Sequence, residues 1–129
     1  MQAKKKILVV DDEADIVEMI QTALESASYQ VVTACNGREA MEKTRAEKPD
    51  AIILDLMMPE MDGFTVAREL KNADDTSHIP ILALTAFPQK GPTEGYVRDL
   101  GHQLLTDDYL PKPVDPNRLL SRLKELLEL

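Results

Sequence analysis

Short apolar runs that end in acidic residues constrain the fold of this chain more than any other feature. The run from Ala51 to Leu54 is followed at once by Asp55, and the run from Ile7 to Val10 is followed by the acidic stretch from Asp11 to Glu13. Continuous apolar runs of this length are typical of strands buried on both faces of a parallel sheet. Ligands bind at the carboxyl edge of such a sheet, so Asp55 is predicted to be a metal ligand, a nucleophile or both.

Helical patterns alternate with the strands along the chain. Three more strands are predicted, around Val31 and Val32, over Ile81 to Leu84, and over Tyr109 and Leu110. Apolar residues at helical spacing predict a helix after each strand, over the approximate ranges 16–27, 38–48, 63–71, 93–105 and 115–129. Five strand–helix units in succession predict an α/β fold, a doubly wound parallel sheet with helices on both faces.

Composition suits one domain over residues 1–129 and argues against several functions. The formal net charge of -8 disfavours a nucleic-acid surface, which needs clustered Lys and Arg. No apolar run has the length of a membrane span, and the N-terminus lacks the apolar region of a signal peptide. We therefore expect a cytoplasmic protein with no membrane partner. The single Cys35 excludes an internal disulfide and is expected to be a small buried residue at a strand end.

Five polar side chains are predicted to meet at the carboxyl edge of the sheet, namely Asp11, Asp12, Asp55, Thr85 and Lys112. Three carboxylates in one place repel one another, and Mg²⁺ would relieve the repulsion because it accepts carboxylate, water and phosphate oxygens. Lys112 supplies a positive charge for Asp55 or for a phosphoryl oxygen, and Thr85 supplies a hydroxyl donor. These groups suit phosphoryl transfer to Asp55, with the carboxylate as the nucleophile.

The motifs at the strand ends resemble those of the receiver domain of two-component response regulators, over nearly the whole chain. The matching stretches are Val9 to Glu13, Leu54 to Gly63, Leu84 to Ala86 and Asp108 to Pro113. The resemblance implies a flavodoxin-like (βα)5 fold with strand order 2-1-3-4-5. It also implies a phosphorylation-dependent switch rather than a turnover enzyme. A sensor histidine kinase or a histidine phosphotransfer protein would supply the phosphoryl group, and the output would pass to a downstream effector protein.

The same resemblance implies a role for each residue of the site. Asp55 would be the phosphoacceptor. It would bind Mg²⁺ together with Asp12 and the backbone carbonyl of Met57, and Asp11 would help through a water. Thr85 and Lys112 would bind the phosphoryl group. The remaining implied features are a switch pair formed by Thr85 and Tyr109, and a cis peptide bond between Lys112 and Pro113.

The chain departs from the family pattern between Thr85 and Lys112, where the stretch 86–108 is several residues longer than usual. This departure concerns the partner-binding surface rather than the phosphorylation chemistry. Met57 and Phe87 occupy two positions that influence hydrolysis of the phosphorylated state in this family. Neither side chain can orient water by hydrogen bonding, so we expect slow self-dephosphorylation.

Other interpretations of the same residues stay open at this point. The acids at Asp11 to Glu13 could only cap a helix, and Tyr109 could only pack on an edge strand. An Asp-nucleophile phosphatase of the haloacid dehalogenase type needs a second Asp where Met57 stands. A flavodoxin needs a Ser/Thr/Gly-rich loop where this chain has acids. A degenerate receiver that binds partners without phosphorylation is the remaining alternative.

Overall fold

Five strands and four helices alternate in a computed structural model of the chain, which describes residues 4–56, 63–85 and 106–128. Each apolar run forms a strand because both of its faces are covered. The elements, numbered in chain order, are β1 (Lys6–Val10), α1 (Ala14–Ser26), β2 (Gln30–Ala34), α2 (Gly37–Glu47), β3 (Ala51–Asp55), α3 (Gly63–Asn72), β4 (Ile81–Thr85), β5 (Asp108–Pro111) and α4 (Pro116–Leu127). The helix predicted over 93–105 lies outside the described residues.

The sheet is parallel throughout, with strand order β2-β1-β3-β4-β5. This order confirms the predicted topology. Val10 pairs with Leu54, Asp55 with Leu84, and Thr85 with Pro111, so the strand ends reach one edge of the sheet together. The acids that follow β1 and end β3 are therefore neighbours, because β1 and β3 are adjacent strands.

Two hydrophobic layers cover the sheet, and each strand contributes alternate residues to them. Leu8 and Val10 face the layer that contains residues of α2 and α3, whereas Ile7 and Val9 face the layer that contains residues of α1 and α4. All five residues of β3 and of β4 are buried. The central strands are thus fixed on both faces, which gives Asp55 at the end of β3 a rigid base.

Side chains cap the N-termini of two helices. Asn36 caps α2 by accepting a hydrogen bond from the Glu39 amide at 2.8 Å, and Asp115 caps α4 by accepting one from the Asn117 amide at 3.0 Å. Asn and Asp are among the residue types preferred at this position. Glu13 is the N-cap residue of α1, but within the described structure its side chain makes no capping hydrogen bond. The carboxylate of Asp11 accepts from the Glu13 amide instead, at 2.9 Å.

Two details of the sequence interpretation were wrong. Ala27, which was expected on the apolar face of the first helix, is exposed; it follows Ser26, the last residue of α1, and the chain turns at Ser28 with a positive φ of 71°. Cys35 is exposed rather than buried, because it follows the last residue of β2. The peptide bond between Lys112 and Pro113 is cis, as expected. Among the helices of the described ranges, none is long and apolar enough to cross a membrane.

Candidate functional site

Three carboxylates form a cluster where β1 and β3 end. One oxygen atom each of Asp11, Asp12 and Asp55 lies within 4.8 Å of the others. Asp11 and Asp55 are each only 1% exposed, whereas Asp12 is exposed. Two buried carboxylates this close together are costly unless a cation shares the site. The structure therefore brings together the three acids that the sequence predicted to meet.

Lys112 is the cation that reaches this cluster from the end of β5. Its Nζ lies 3.1 Å from Oδ2 of Asp11 and 3.3 Å from Oδ2 of Asp55. The Glu13 carboxylate is further away, at 3.9 Å, and is itself 59% exposed. The Lys112 side chain is 11% exposed, so carboxylates stabilise its ammonium charge more than water does. Sequence reasoning did not assign Glu13 to the site.

The ionisation of Lys112 reflects two opposing effects. Burial by itself would lower the pKa of Lys112, but the hydrogen bond and charge of Asp11, together with those of Asp55, outweigh burial and raise the pKa above its ordinary value. Lys112 is therefore a fixed positive charge at physiological pH. Its ammonium group lies within ion-pairing distance of both Asp11 and Asp55.

Backbone hydrogen bonds set the positions of these side chains. The Asp11 amide donates to the Ala34 carbonyl at 3.1 Å, and the Leu56 amide donates to the Leu84 carbonyl at 3.0 Å, which extends the pairing beyond the ends of β1 and β3. The Lys112 amide donates to the Thr85 carbonyl at 2.6 Å. This bond ties the residue after β5 to the last residue of β4. The hydrogen bond therefore contributes to the position of Lys112 relative to Thr85.

Gly63, the first residue of α3, is a functional position that the sequence interpretation quoted without giving it a role. A Cβ at Gly63 would lie 2.6 Å from Cα of Leu56 and closer still to the carbonyl oxygen of Asp55. The Gly63 amide donates to the Leu56 carbonyl at 3.2 Å. Only glycine lets α3 begin this close to the backbone of the candidate phosphoacceptor. The signal in the sequence was a glycine shortly after the acid-terminated run.

Thr85 and Tyr109 lie on neighbouring strands. Thr85 ends β4 and is 2% exposed, whereas Tyr109 lies within β5, is partly buried and packs against the layer that includes α2 and α3. This arrangement is compatible with both the switch role and ordinary packing for Tyr109. Met57, whose carbonyl was expected to bind the metal, and Phe87 lie outside the described residues, as does the stretch 86–105.

The donor set fits Mg²⁺. This ion binds oxygen at about 2.1 Å, so two of its ligands lie at most about 4.2 Å apart. The carboxylate oxygens of Asp11, Asp12 and Asp55 lie within 4.8 Å of one another, close enough for side-chain rotations to bring them onto one ion. All three donors are hard carboxylate oxygens, and in the described part of the chain no imidazole or thiol belongs to the cluster.

An open cleft continues from the acid cluster along α1 and the end of β2, and Cys35 and Glu39 line its far side. The Cys35 thiol donates to Oε2 of Glu39 at 3.2 Å. This hydrogen bond, with the charge of Glu39, raises the pKa of Cys35, and it lowers the pKa of Glu39 in return. Cys35 is therefore an exposed thiol with little thiolate character at neutral pH.

Comparison with known proteins identifies the class to which this fold and site belong. Residues 7–124 match the family model of the response regulator receiver domain, and the chain belongs to that family. The proteins of this family are phospho-acceptor signalling domains of two-component systems, and they act as phosphorylation-dependent switches. The predicted family and the flavodoxin-like fold are confirmed, and the phosphatase and flavodoxin alternatives are removed.

Individual relatives agree with this assignment. The chain is 44% identical over 123 residues to the alkaline phosphatase synthesis transcriptional regulatory protein PhoP of Bacillus subtilis, covering 95% of this chain and 48% of PhoP. It is 44% identical over 123 residues to the phosphate regulon transcriptional regulatory protein PhoB of Pseudomonas aeruginosa, covering 95% of this chain and 52% of PhoB. The chain thus spans about half the length of these relatives.

Solved structures show the same architecture. A response regulator structure from Chloroflexus aurantiacus has a TM-score of 0.89 at 33% identity, covering 98% of this chain and all of that one. The receiver domain of a sensor histidine kinase from Pseudomonas aeruginosa PAO1 has a TM-score of 0.85 at 29% identity, covering 98% of this chain and 100% of that domain. That structure holds a magnesium ion coordinated in its active site cleft.

Proposed function

We propose that this chain is a receiver that accepts a phosphoryl group on Asp55 in a Mg²⁺-dependent reaction. The observation that carries the proposal is the position of the Lys112 ammonium, 3.3 Å from the Asp55 carboxylate and 3.1 Å from Asp11. A buried nucleophile beside a fixed cation and two further acids is the arrangement that phosphoryl transfer to a carboxylate requires.

In the proposed reaction, an oxygen of Asp55 attacks the phosphorus of a phosphohistidine on the partner. The P–O bond forms as the P–N bond breaks, and the imidazole leaves with the electron pair of that bond and takes up a proton. Asp11, Asp12, Asp55 and the Met57 carbonyl would hold Mg²⁺, which neutralises the transferring oxygens when it is bound. Lys112 offsets the remaining charge, and burial of Asp55 keeps bulk water away from the carboxylate.

Thr85 and Tyr109 are the proposed switch pair. After phosphorylation, the Thr85 hydroxyl would donate to a phosphoryl oxygen and the Tyr109 ring would turn inward. The pairing of β4 with β5 supports this proposal, because it places Ala83 opposite Tyr109 and Thr85 opposite Pro111. A displacement of Thr85 would therefore shift β5, the strand that carries Tyr109.

The proposed partners follow from the chemistry of the site. A sensor histidine kinase or a histidine phosphotransfer protein donates the phosphoryl group, and a downstream effector protein reads the switched state. We assign residues 1–129 to a single receiver domain. We expect this domain not to contact nucleic acid. We also expect it to perform no turnover reaction beyond its own phosphorylation and dephosphorylation. The cytoplasmic location stays a prediction from the sequence.

Intact-mass spectrometry after incubation with acetyl phosphate and Mg²⁺ tests the proposal. We expect the wild type to gain one phosphoryl group, and we expect no gain without Mg²⁺ or in Asp55→Asn. As a matched control, Asp50→Asn changes an acid that precedes the same strand and bonds the Lys6 amide at the opposite edge of the sheet. It should be phosphorylated as the wild type is. A wild type that stays unmodified would favour a receiver that acts without phosphorylation.

A further inference from the structure

Lys71 is a second lysine with little solvent exposure, and the proposed reaction does not use it. It lies in the last turn of α3, and its side chain is 11% exposed, as is that of Lys112. Its Nζ lies 2.9 Å from Oδ2 of Asp107 and donates to the Ile79 carbonyl at 2.8 Å. A cation this buried loses hydration, so its interactions must be specific enough to offset that loss.

Asp107 links Lys71 to the beginning of β5. The same Oδ2 that faces Lys71 also accepts a hydrogen bond from the Ile81 amide at 2.7 Å. The Asp107 amide donates to the Ile81 carbonyl at 3.0 Å. One carboxylate therefore joins the end of α3, the first residue of β4 and the residue that precedes β5.

This junction determines where β5 begins, and so where Lys112 lies. In the part of the sheet that the structure describes, β5 pairs with β4 alone and has only four residues. A slip by one residue would move Lys112 by about 3.3 Å and turn every side chain of β5 to the opposite face of the sheet. The Lys112 ammonium, now 3.1 Å from Asp11 and 3.3 Å from Asp55, would leave hydrogen-bonding distance of both.

We propose that Lys71 is a positioning residue for phosphoryl transfer. By holding Asp107, it fixes the register of β5 against β4 and keeps the Lys112 ammonium between Asp11 and Asp55. The inference rests on the proposed function, because it assigns Lys71 an effect on the reaction through Lys112. The proposed metal ligands lie at the ends of β1 and β3, whereas Lys71 bonds Asp107 and the Ile79 carbonyl. Loss of Lys71 should therefore slow transfer without weakening metal binding.

Single-turnover phosphorylation by acetyl phosphate at saturating Mg²⁺ tests this inference, with Mg²⁺ affinity measured by titration calorimetry. Lys71→Met should slow phosphorylation about tenfold, since a small misplacement of a charge-stabilising group costs up to about 100-fold. Its dissociation constant for Mg²⁺ should not rise, because a displaced ammonium competes less for the carboxylates. Lys71→Arg, which keeps the charge, should restore most of the rate.

A double-mutant comparison separates positioning from general destabilisation. In a Lys112→Met background, Lys71→Met should cause no further loss of rate, although it should still lower the melting temperature. Arg45→Met is the matched control, because Arg45 lies in α2 and pairs at 3.4 Å with Asp75, in the loop between α3 and β4. This control should react at the wild-type rate.

Several results would overturn the inference. One is a wild-type rate for Lys71→Met while Lys112→Met is slow. A second is an equal loss of rate from Lys71→Met with and without Lys112, and a third is a parallel weakening of Mg²⁺ binding. If Lys71→Met does not fold, Asp107→Asn replaces it and should show an intermediate loss of rate; a wild-type rate again contradicts the inference. A wild type that gains no phosphoryl group, or a Lys112→Met variant that reacts normally, instead refutes the proposed function, and with it the basis for Lys71.

Discussion

Replacing Lys112 by Met should destabilise the protein strongly when no divalent cation is present. Methionine keeps most of the apolar length of the side chain and removes only the charge. The lost contacts are those at 3.1 Å to Asp11 and 3.3 Å to Asp55, two carboxylates that are each 1% exposed. At an effective dielectric constant of about 20, each contact corresponds to a gross attraction of about 5 kcal/mol.

The net cost is smaller than the gross attraction, because the buried ammonium no longer has to be desolvated. Removing one partner of a buried ion pair typically costs about 3–5 kcal/mol, which we expect here in EDTA. That loss corresponds to a decrease in melting temperature of about 10–25 °C for a domain of this size. Mg²⁺ should reduce the loss, because it binds the variant more tightly once the ammonium is gone. If the variant binds Mg²⁺ ten times more tightly than the wild type, saturating Mg²⁺ restores about 1.4 kcal/mol of the lost free energy of unfolding.

Urea unfolding followed by far-ultraviolet circular dichroism, in EDTA and in 10 mM Mg²⁺, measures both effects. Arg38→Met is the control, since Arg38 pairs with Glu42 at 3.2 Å on the surface of α2 and is 88% exposed. Its loss should stay within about 0.5 kcal/mol and should not depend on Mg²⁺. Equal stability of Lys112→Met and wild type in EDTA, or the same loss in both buffers, would refute the electrostatic reasoning.

Three further predictions concern other parts of the structure. Gly63→Ala should cost about 1–3 kcal/mol in urea unfolding and should slow phosphorylation, because its Cβ would overlap the backbone of Asp55; unchanged stability and rate would contradict the close approach. Glu39→Ala should lower the pKa of Cys35 and so speed its alkylation by iodoacetamide at pH 8, and an unchanged rate profile between pH 7 and 10 would count against the hydrogen bond. Asp115→Ala should cost about 1 kcal/mol through loss of the α4 cap, measured against Asn117→Ala as the control.

The sequence was sufficient to predict the strand order because the local signals that define the strands agreed with the tertiary structure. Apolar runs became buried strands, and the acids that ended them met where parallel strands must end. The cap at Asn36 was readable since its side chain bonds a backbone amide only three residues away. Signals of this kind depend on residues that are close in sequence, so they can be recognised without knowledge of the tertiary packing.

Features that depend on packing or on unusual backbone geometry were not readable. The turn after α1 carried no sequence signal, because Ser28 rather than a glycine adopts the positive φ there. The ion pair of Lys71 with Asp107 joins residues that are far apart in sequence, and neither carries a motif. Gly63 was visible in the sequence, but its close approach to Asp55 depends on the angle at which α3 begins, which the glycine alone does not specify.

The strand order also means that the residues of the site are held in place to different degrees. Asp11 and Asp55 come from β1 and β3, which each pair with strands on both sides, whereas Lys112 follows β5, which in the described sheet pairs on one side only. A substitution that shifts β1 or β3 disturbs two ladders of backbone hydrogen bonds, but one that shifts β5 disturbs a single ladder. A substitution near β5 should therefore displace Lys112 more readily than a comparable substitution near β1 or β3 displaces Asp11 or Asp55.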